Sequence, residues 1–225
     1  MFEFDYTFHW VTVWNVFPEM LSAAVVTLEV AVTSMFFGLI IAVFLSLGKD
    51  SKNELLSTPS VVWIELARNT PALFQIYMMY FGLGAFGIHL SPYVAVLAAL
   101  TFNNAGYLAE TLRGGFASIP NTQMSASRSL GMSKLQTYWY IILPQVLRKV
   151  YHPMTNQMIW AILMTSLGTL VGMLELTGKT DQLQSLSFRT FEFYLVTAIM
   201  YFVIAKTVLL GSKLLAYKIF RGDAQ

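Results

Sequence analysis

Apolar residues fall in five long runs separated by short polar stretches. The first covers 23–47, contains one charge, Glu29, and ends at Gly48-Lys49-Asp50-Ser51-Lys52. The second covers 61–86 and is interrupted by Glu65, Arg68 and Pro71; the others cover 92–112, 158–174 and 193–215. A helix needs about 20 consecutive, mostly apolar residues to cross the hydrocarbon of a bilayer. The pattern therefore predicts an all-α integral membrane protein with five transmembrane helices. Residues 20–217 form the membrane domain in this reading, 1–19 an outer interfacial segment and 218–225 a cytoplasmic tail. Trp10, Trp14 and Phe17 then read as an aromatic belt at the outer membrane surface.

The basic residues give an orientation, because they concentrate on the cytoplasmic side of membrane helices. Lys49 and Lys52 lie between the first two runs. Arg113, Arg128, Lys134, Arg148 and Lys149 lie between the third and fourth, and Lys213, Lys218 and Arg221 follow the fifth. The opposite side has Lys179 and Arg189. The expected topology is N-terminus outside and C-terminus in the cytoplasm.

Composition narrows the function. Of 225 residues, 56% are hydrophobic and 12% charged, where soluble domains carry about 25% charge. A net charge of +2 without a long basic run excludes a nucleic-acid binder. With no cysteine there is no disulfide, thiolate metal site or cysteine nucleophile. His9, His89 and His152 have no ligand-pair spacing, so no metal is expected. Residues 1–19 carry no Lys or Arg, so the start does not read as a secretory signal. Gly82, Gly84 and Gly87 fit a dinucleotide fingerprint literally, but they close an apolar run instead of following a strand, and read as a turn. No phosphate-binding G-x-x-x-x-G-K-[ST] occurs, so ATP has no P-loop here.

Segment 114–152 is too polar to span and long for a connection, and such loops are usually functional. Gly114-Gly115 is expected to end the third membrane helix. Pro120 then suits the first turn of a short helix over 121–130, which Gly131 would stop with its left-handed backbone freedom. The small side chains of Ser125, Ala126 and Ser127 would let another protein come close to the backbone. Ile141-Ile142-Leu143-Pro144 marks a second break.

Here the sequence resembles a known family. Ser125-Ala126-Ser127, three residues, Gly131, nine residues and Ile141-Ile142-Leu143-Pro144 resemble the EAA loop of bacterial ABC importer permeases, E-A-A, three residues, Gly, nine residues, I-x-L-P. Ser125 stands where Glu is usual and Ser127 where Ala is usual. Glu65-Leu66-Ala67-Arg68-Asn69-Thr70-Pro71-Ala72-Leu73-Phe74-Gln75 resembles the E-x-x-R-G-T-P-x-x-x-Q stretch of the polar amino-acid uptake branch, the histidine, glutamate, glutamine, arginine and opine permeases. Tyr107 to Gly115 is similar to its A-Y-x-x-E-x-x-R-G-G segment, and Ser166-Leu167 and Leu176-Thr177 to its S-L and E-L-T marks.

The resemblance implies the type I ABC importer permease fold and a place in the bacterial cytoplasmic (inner) membrane. It implies a cytoplasmic ABC ATPase dimer, a second permease (a paralogue or another copy) and an external amino-acid-binding protein as partners. ATP and Mg would sit on the ATPase, with no cofactor in this chain. Gln123, Ser125, Ala126, Ser127, Arg128, Gly131 and Pro144 would couple to the ATPase, with 123–131 as the coupling helix and Gly131 as its hinge. Because Ser125 offers only a hydroxyl, either Arg128 or Arg113 carries the docking instead, or the second permease supplies the full motif.

Ionisable groups at membrane depth mark functional candidates. Glu65 and Arg68, three apart, share a helix face: they form an ion pair next to Pro71, or one of them lines the pathway. Glu29 faces a water-filled path or pairs with a neighbouring helix. Glu110 and Arg113 are expected to pair. Thr165 and Ser166 either meet a passing substrate or bond their own helix, and Gly168 to Gly172 is a GxxxG that fits helix packing. A rival reading, an ion-coupled secondary carrier for a small polar solute, conflicts with the absence of an internal repeat.

Overall fold

The computed structural model describes residues 6–220, and all regular structure among them is helical. The first apolar run begins earlier than its hydropathy suggests. Helix α1 covers Trp10–Lys49, 40 residues with Pro18 inside it. At 1.5 Å per residue it is about 60 Å long, twice a hydrocarbon core of about 30 Å. Residues 10–19 are thus helical and continuous with the first apolar run. Ahead of α1, His9 N–H donates to Glu192 Oε1 at 2.9 Å and Arg189 Nη1 donates to the Thr7 carbonyl at 3.0 Å. Tyr6 Oη donates to Glu192 Oε2. That carboxylate, accepting the phenol's proton in a hydrogen bond, raises the Tyr6 pKa above its ordinary value.

The second run is two helices. Helix α2 (Glu54–Asn69) ends at extended residues Thr70 and Pro71, and α3 (Ala72–Tyr77) continues through a wide π-helical turn, Met78–Gly82. Helix α4 (Pro92–Ala117) starts at Ser91, whose hydroxyl accepts from the Val94 N–H, with Pro92 in its first turn. It is the central helix, packed along α1, α2 and the later rod. Within a bilayer lipid is as apolar as leucine, so close packing and hydrogen bonds hold helices together. The sequence supplies small residues for this: Ala42 of α1 meets Ala105 and Ala109 of α4 in one buried cluster with Ile64 and Leu108. Farther along, Val30, Ile76, Val96, Ala99 and Leu100 form a second cluster.

Helix α4 runs through Gly114 and Gly115 to Ala117, so the glycines do not end it. Helix α5 covers Asn121–Ser129. Helix α6 (Lys134–Thr137), a π-helical turn (Tyr138–Ile142), α7 (Leu143–Met164) and a 3-10 segment (Thr165–Val171) then form a single rod, Lys134–Val171. The expected break at 141–144 is absent. Pro144 has no N–H to give the Tyr140 carbonyl, and the wide turn absorbs that loss without interrupting the rod. The rod ends at Gly172, at φ +85°, and Gly168 of the GxxxG is buried, where a Cβ would meet Val96 Cγ2 of α4 at 3.1 Å.

Helix α8 (Leu176–Ser187) follows, bent 47° from the rod, and α9 covers Thr190–Phe220. Among the described residues, α1 and α9 are individually long and apolar enough to cross a membrane, with a third span if the rod and α8 are taken together. The other two runs, α2–α3 and α4, carry more polar groups. Arg221 lies outside the described residues.

Candidate functional site

Two features stand out from the helical packing: a short helix displayed at the basic end of the bundle, and a helix broken inside it.

The displayed helix is α5. Its boundaries are local chemistry: Pro120 in extended conformation precedes it, and Gly131 at φ +84° ends it. Gly131 N–H donates to the Arg128 carbonyl at 3.0 Å and Met132 N–H to the Ser127 carbonyl at 3.1 Å, the paired bonds of a Schellman stop. Ser125 and Ser129 bond back to the carbonyls of Asn121 and Ser125 at 3.3 and 3.1 Å. Ser127 is buried and bonds to the Gln123 carbonyl at 2.8 Å. Ala126 and Arg128 are exposed. Arg128 donates to the Met132 carbonyl at 2.8 Å, holding the end of the helix.

Gln123 and Gln145 exchange amide hydrogen bonds at 3.1 and 2.7 Å, joining α5 to the rod. Pro144 lies exposed beside Gln145. Beneath them Ile119, Ile142, Val146 and Val150 form a buried cluster with Met124 against it. Lys149 Nζ closes the loop onto the Ser118 carbonyl at 2.9 Å. Thus α5 is fixed to Lys134–Val171 by polar and apolar contacts together.

The broken helix is α2–α3. A helix leaves its last carbonyls without internal partners, and inside a membrane bundle other groups must supply them. Pro71 restricts Thr70 to an extended backbone, and side chains then satisfy the end. Thr70 Oγ1 donates to the Leu66 carbonyl at 2.7 Å. Asn103 Nδ2 and Gln75 Nε2 donate to the Ala67 carbonyl at 3.1 and 3.0 Å. Tyr107 Oη donates to the Arg68 carbonyl at 3.3 Å. Gln75 also donates to the Thr70 carbonyl at 3.2 Å and accepts from Asn103 at 3.0 Å. The spacing of Arg68, Thr70, Pro71 and Gln75 is thereby a capping device completed by α4.

The charges pair differently from the i, i+3 expectation. Glu65 accepts from Asn69 Nδ2 at 2.7 Å, not from Arg68. Arg68 instead reaches Glu110 at 3.5 Å and lies over the Tyr107 ring at 5.8 Å. Glu110, whose side chain is 16% exposed, also takes Lys49 at 2.8 Å and Arg113 at 2.9 Å. One carboxylate therefore ties the ends of α1, α2 and α4 together. The Glu110–Arg113 pair is as expected, and it commits Arg113 within the chain, leaving Arg128 as the exposed cation of α5.

Glu29 is exposed midway along α1 and accepts from Tyr93 Oη at 3.0 Å. Thr165 is fully buried and bonds to the Ile162 carbonyl at 2.8 Å; Ser166, half-buried, bonds to the Leu163 carbonyl at 2.7 Å. Each hydroxyl donates to its own helix.

Sequence reasoning passed over Glu175, which is fully buried. It caps α8, accepting from Thr177 and Gly178 N–H at 3.0 and 2.9 Å, from Tyr201 Oη at 2.7 Å and from Thr27 Oγ1 at 3.2 Å. Its acidic side chain just after Gly172, at a helix start, was the available signal.

Residues 38–221 match the family described as the binding-protein-dependent transport system inner membrane component. The chain belongs to that family. It is a membrane permease component, with ATP hydrolysis on a separate subunit. The octopine transport system permease protein of Rhizobium radiobacter is 32% identical over 85% of this chain and 82% of its own. The glutamine transport system permease protein of Escherichia coli K12 is 31% identical over 88% and 91%. A crystal structure of an amino acid ABC transporter with histidines is 28% identical, covers 95% of this permease and 100% of the matched chain, and superposes with a TM-score of 0.89. The permease thus has the architecture of an ABC importer permease, and the secondary-carrier reading has no support in these relatives.

Proposed function

We propose that this permease is one of the two membrane subunits of an ATP-driven importer for a polar amino acid, which an external binding protein delivers. The relatives' substrates support the amino-acid class. In this reading the five apolar runs form five spans, with the broken α2–α3 and the rod among them. The end carrying Lys49, Arg113, Lys149 and Lys218 faces the cytoplasm. ATP and Mg are held by a dimeric ATPase against that end.

The observation that carries the reading is the construction of α5, an exposed helix of mostly small side chains, entered at Pro120, stopped at Gly131 and fixed through Gln123–Gln145 to Lys134–Val171. A displacement of α5 by a closing ATPase would move the rod as one body, the usual route by which a small shift becomes a domain motion. Gln123, Ser125, Ala126, Ser127, Arg128 and Gly131 form or shape the docking helix. Pro144 lies in the rod beside its attachment.

Glu29, Glu65 and Arg68 are exposed on the isolated subunit. A charge facing lipid at the bilayer centre costs roughly 2.5–3.5 kcal/mol even on the mildest scale. Glu29 and Glu65 are accordingly assigned to the face toward the second permease and the water-filled pathway between them, with Arg68 at the edge of that face, held by Glu110. Reconstitution in proteoliposomes with ATPase and binding protein tests the proposal. Uptake should require ATP and the binding protein together; uptake driven by an ion gradient without ATP would overturn it.

A further inference from the structure

The start of the rod presents an aromatic face uncovered by other described residues. Along Lys134–Ile142, Thr137 and Ile142 are buried, whereas Leu135 is 68% exposed, Trp139 60% and Tyr140 74%. Leu135 and Trp139 are four residues apart and share a helix face. Tyr138 turns the other way, toward Phe116, with ring centroids 6.5 Å apart. The two surfaces of the loop therefore differ in kind. Helix α5 shows short polar side chains suited to a close protein contact, and the adjoining segment shows large amphipathic rings.

Three observations identify what covers those rings. Tryptophan and tyrosine concentrate where apolar material meets water, as at membrane surfaces. Exposed Lys134, next to Leu135, matches the charge of anionic lipid headgroups, and Arg148 farther along the rod is held at the Phe220 carbonyl and ring. The same rod continues to Val171 with apolar side chains on its outside, Leu147 at 49% and Leu163 at 40% exposure. The aromatic face thus lies at the start of the rod that, taken with α8, supplies the third candidate span.

We propose that Leu135, Trp139 and Tyr140 rest in the headgroup–acyl boundary of the cytoplasmic leaflet. There they act as a foot that sets the height of the coupling helix between membrane and ATPase. A push on α5 is then resisted by the bilayer on one flank and transmitted through Gln123–Gln145 on the other. The inference rests on the permease reading and its orientation.

The test is tryptophan quenching in the complete transporter, ATPase included, reconstituted in phosphatidylcholine–phosphatidylglycerol vesicles with or without brominated acyl chains. The wild type minus Trp139→Tyr difference reports Trp139, and the variant alone reports Trp10, Trp14, Trp63 and Trp160 together with the tryptophans of the other subunits. The expected result is loss of the Trp139 signal in brominated lipid with the ATPase bound. Quenching of the other tryptophans but not Trp139 would overturn the foot and leave the permease reading standing. Quenching of Trp139 only after the ATPase is stripped would assign the face to the ATPase and overturn it equally. Absence of quenching at every tryptophan would remove the membrane assignment itself. Should Trp139→Tyr fail to assemble, Leu135→Trp places a second reporter on the same face, and its added intensity should be quenched likewise.

Discussion

At the residue scale the permease depends on a few polar side chains with several partners each. Gln75 satisfies the Ala67 and Thr70 carbonyls and orients Asn103. Gln75→Leu leaves the Thr70 carbonyl without this donor and Asn103 without this acceptor, and is expected to destabilise the protein by about 1–3 kcal/mol, read as a lowered unfolding midpoint in detergent. Thr122→Ala, on the exposed side of α5, should leave that midpoint unchanged. Glu110→Gln removes the charge that holds Lys49, Arg68 and Arg113 together, and three cations then face one another. The expected loss is about 3 kcal/mol, with Arg68→Ala milder because that contact is longer and more exposed. Equal effects of the two substitutions would contradict the central role of Glu110.

These pairings also show what a linear reading conveys. Glu65 and Arg68 are neighbours on a helix face, so spacing alone pairs them. The structure gives Arg68 to a carboxylate from α4, a tertiary choice that no local rule contains. Likewise Gln75 is visible in the sequence as a motif position, but its task needs Asn103, brought in from another helix.

At the element scale the legible parts are those bounded by local chemistry. Pro120 and Gly131 delimit α5 from sequence because one presets an extended entry and the other permits φ +84°. The start of α1 was not legible, because Asn15, Pro18 and Glu19 dilute hydropathy while the helix continues through them. Nor was the continuity of the rod past Pro144, since a π-turn can absorb a proline that would ordinarily mark a break.

Gly131→Val should cost about 1–2 kcal/mol of strain in the left-handed conformation and lower transport. Gly131→Asn should be tolerated better, since asparagine also adopts αL; proteoliposome uptake compares the two. A double-mutant cycle on Gln123→Leu and Gln145→Leu should return an interaction of about 0.5–1.5 kcal/mol. Additive effects would mean that α5 is not fixed to the rod through this pair.

At the scale of the whole molecule, opposite ends of one bundle carry different chemistry. The end of α1, the end of α4 and the start of the rod gather Lys49, Arg113 and Lys149 around the displayed helix, and the other end holds the Tyr6–His9 strap against Glu192. The family and the fold make this a subunit of a larger machine, and α5 is where an external force would enter. The chain contains no cysteine, so Ala126→Cys creates a single handle on the exposed side of α5. The most direct measurement is short-span cross-linking of that variant in the assembled transporter, with Phe86→Cys at the opposite end as the comparison. The expected result is a cross-link from position 126 to the ATPase and none from position 86. An unreacted Cys at 126 in transporter that retains its ATPase would contradict the coupling role of α5.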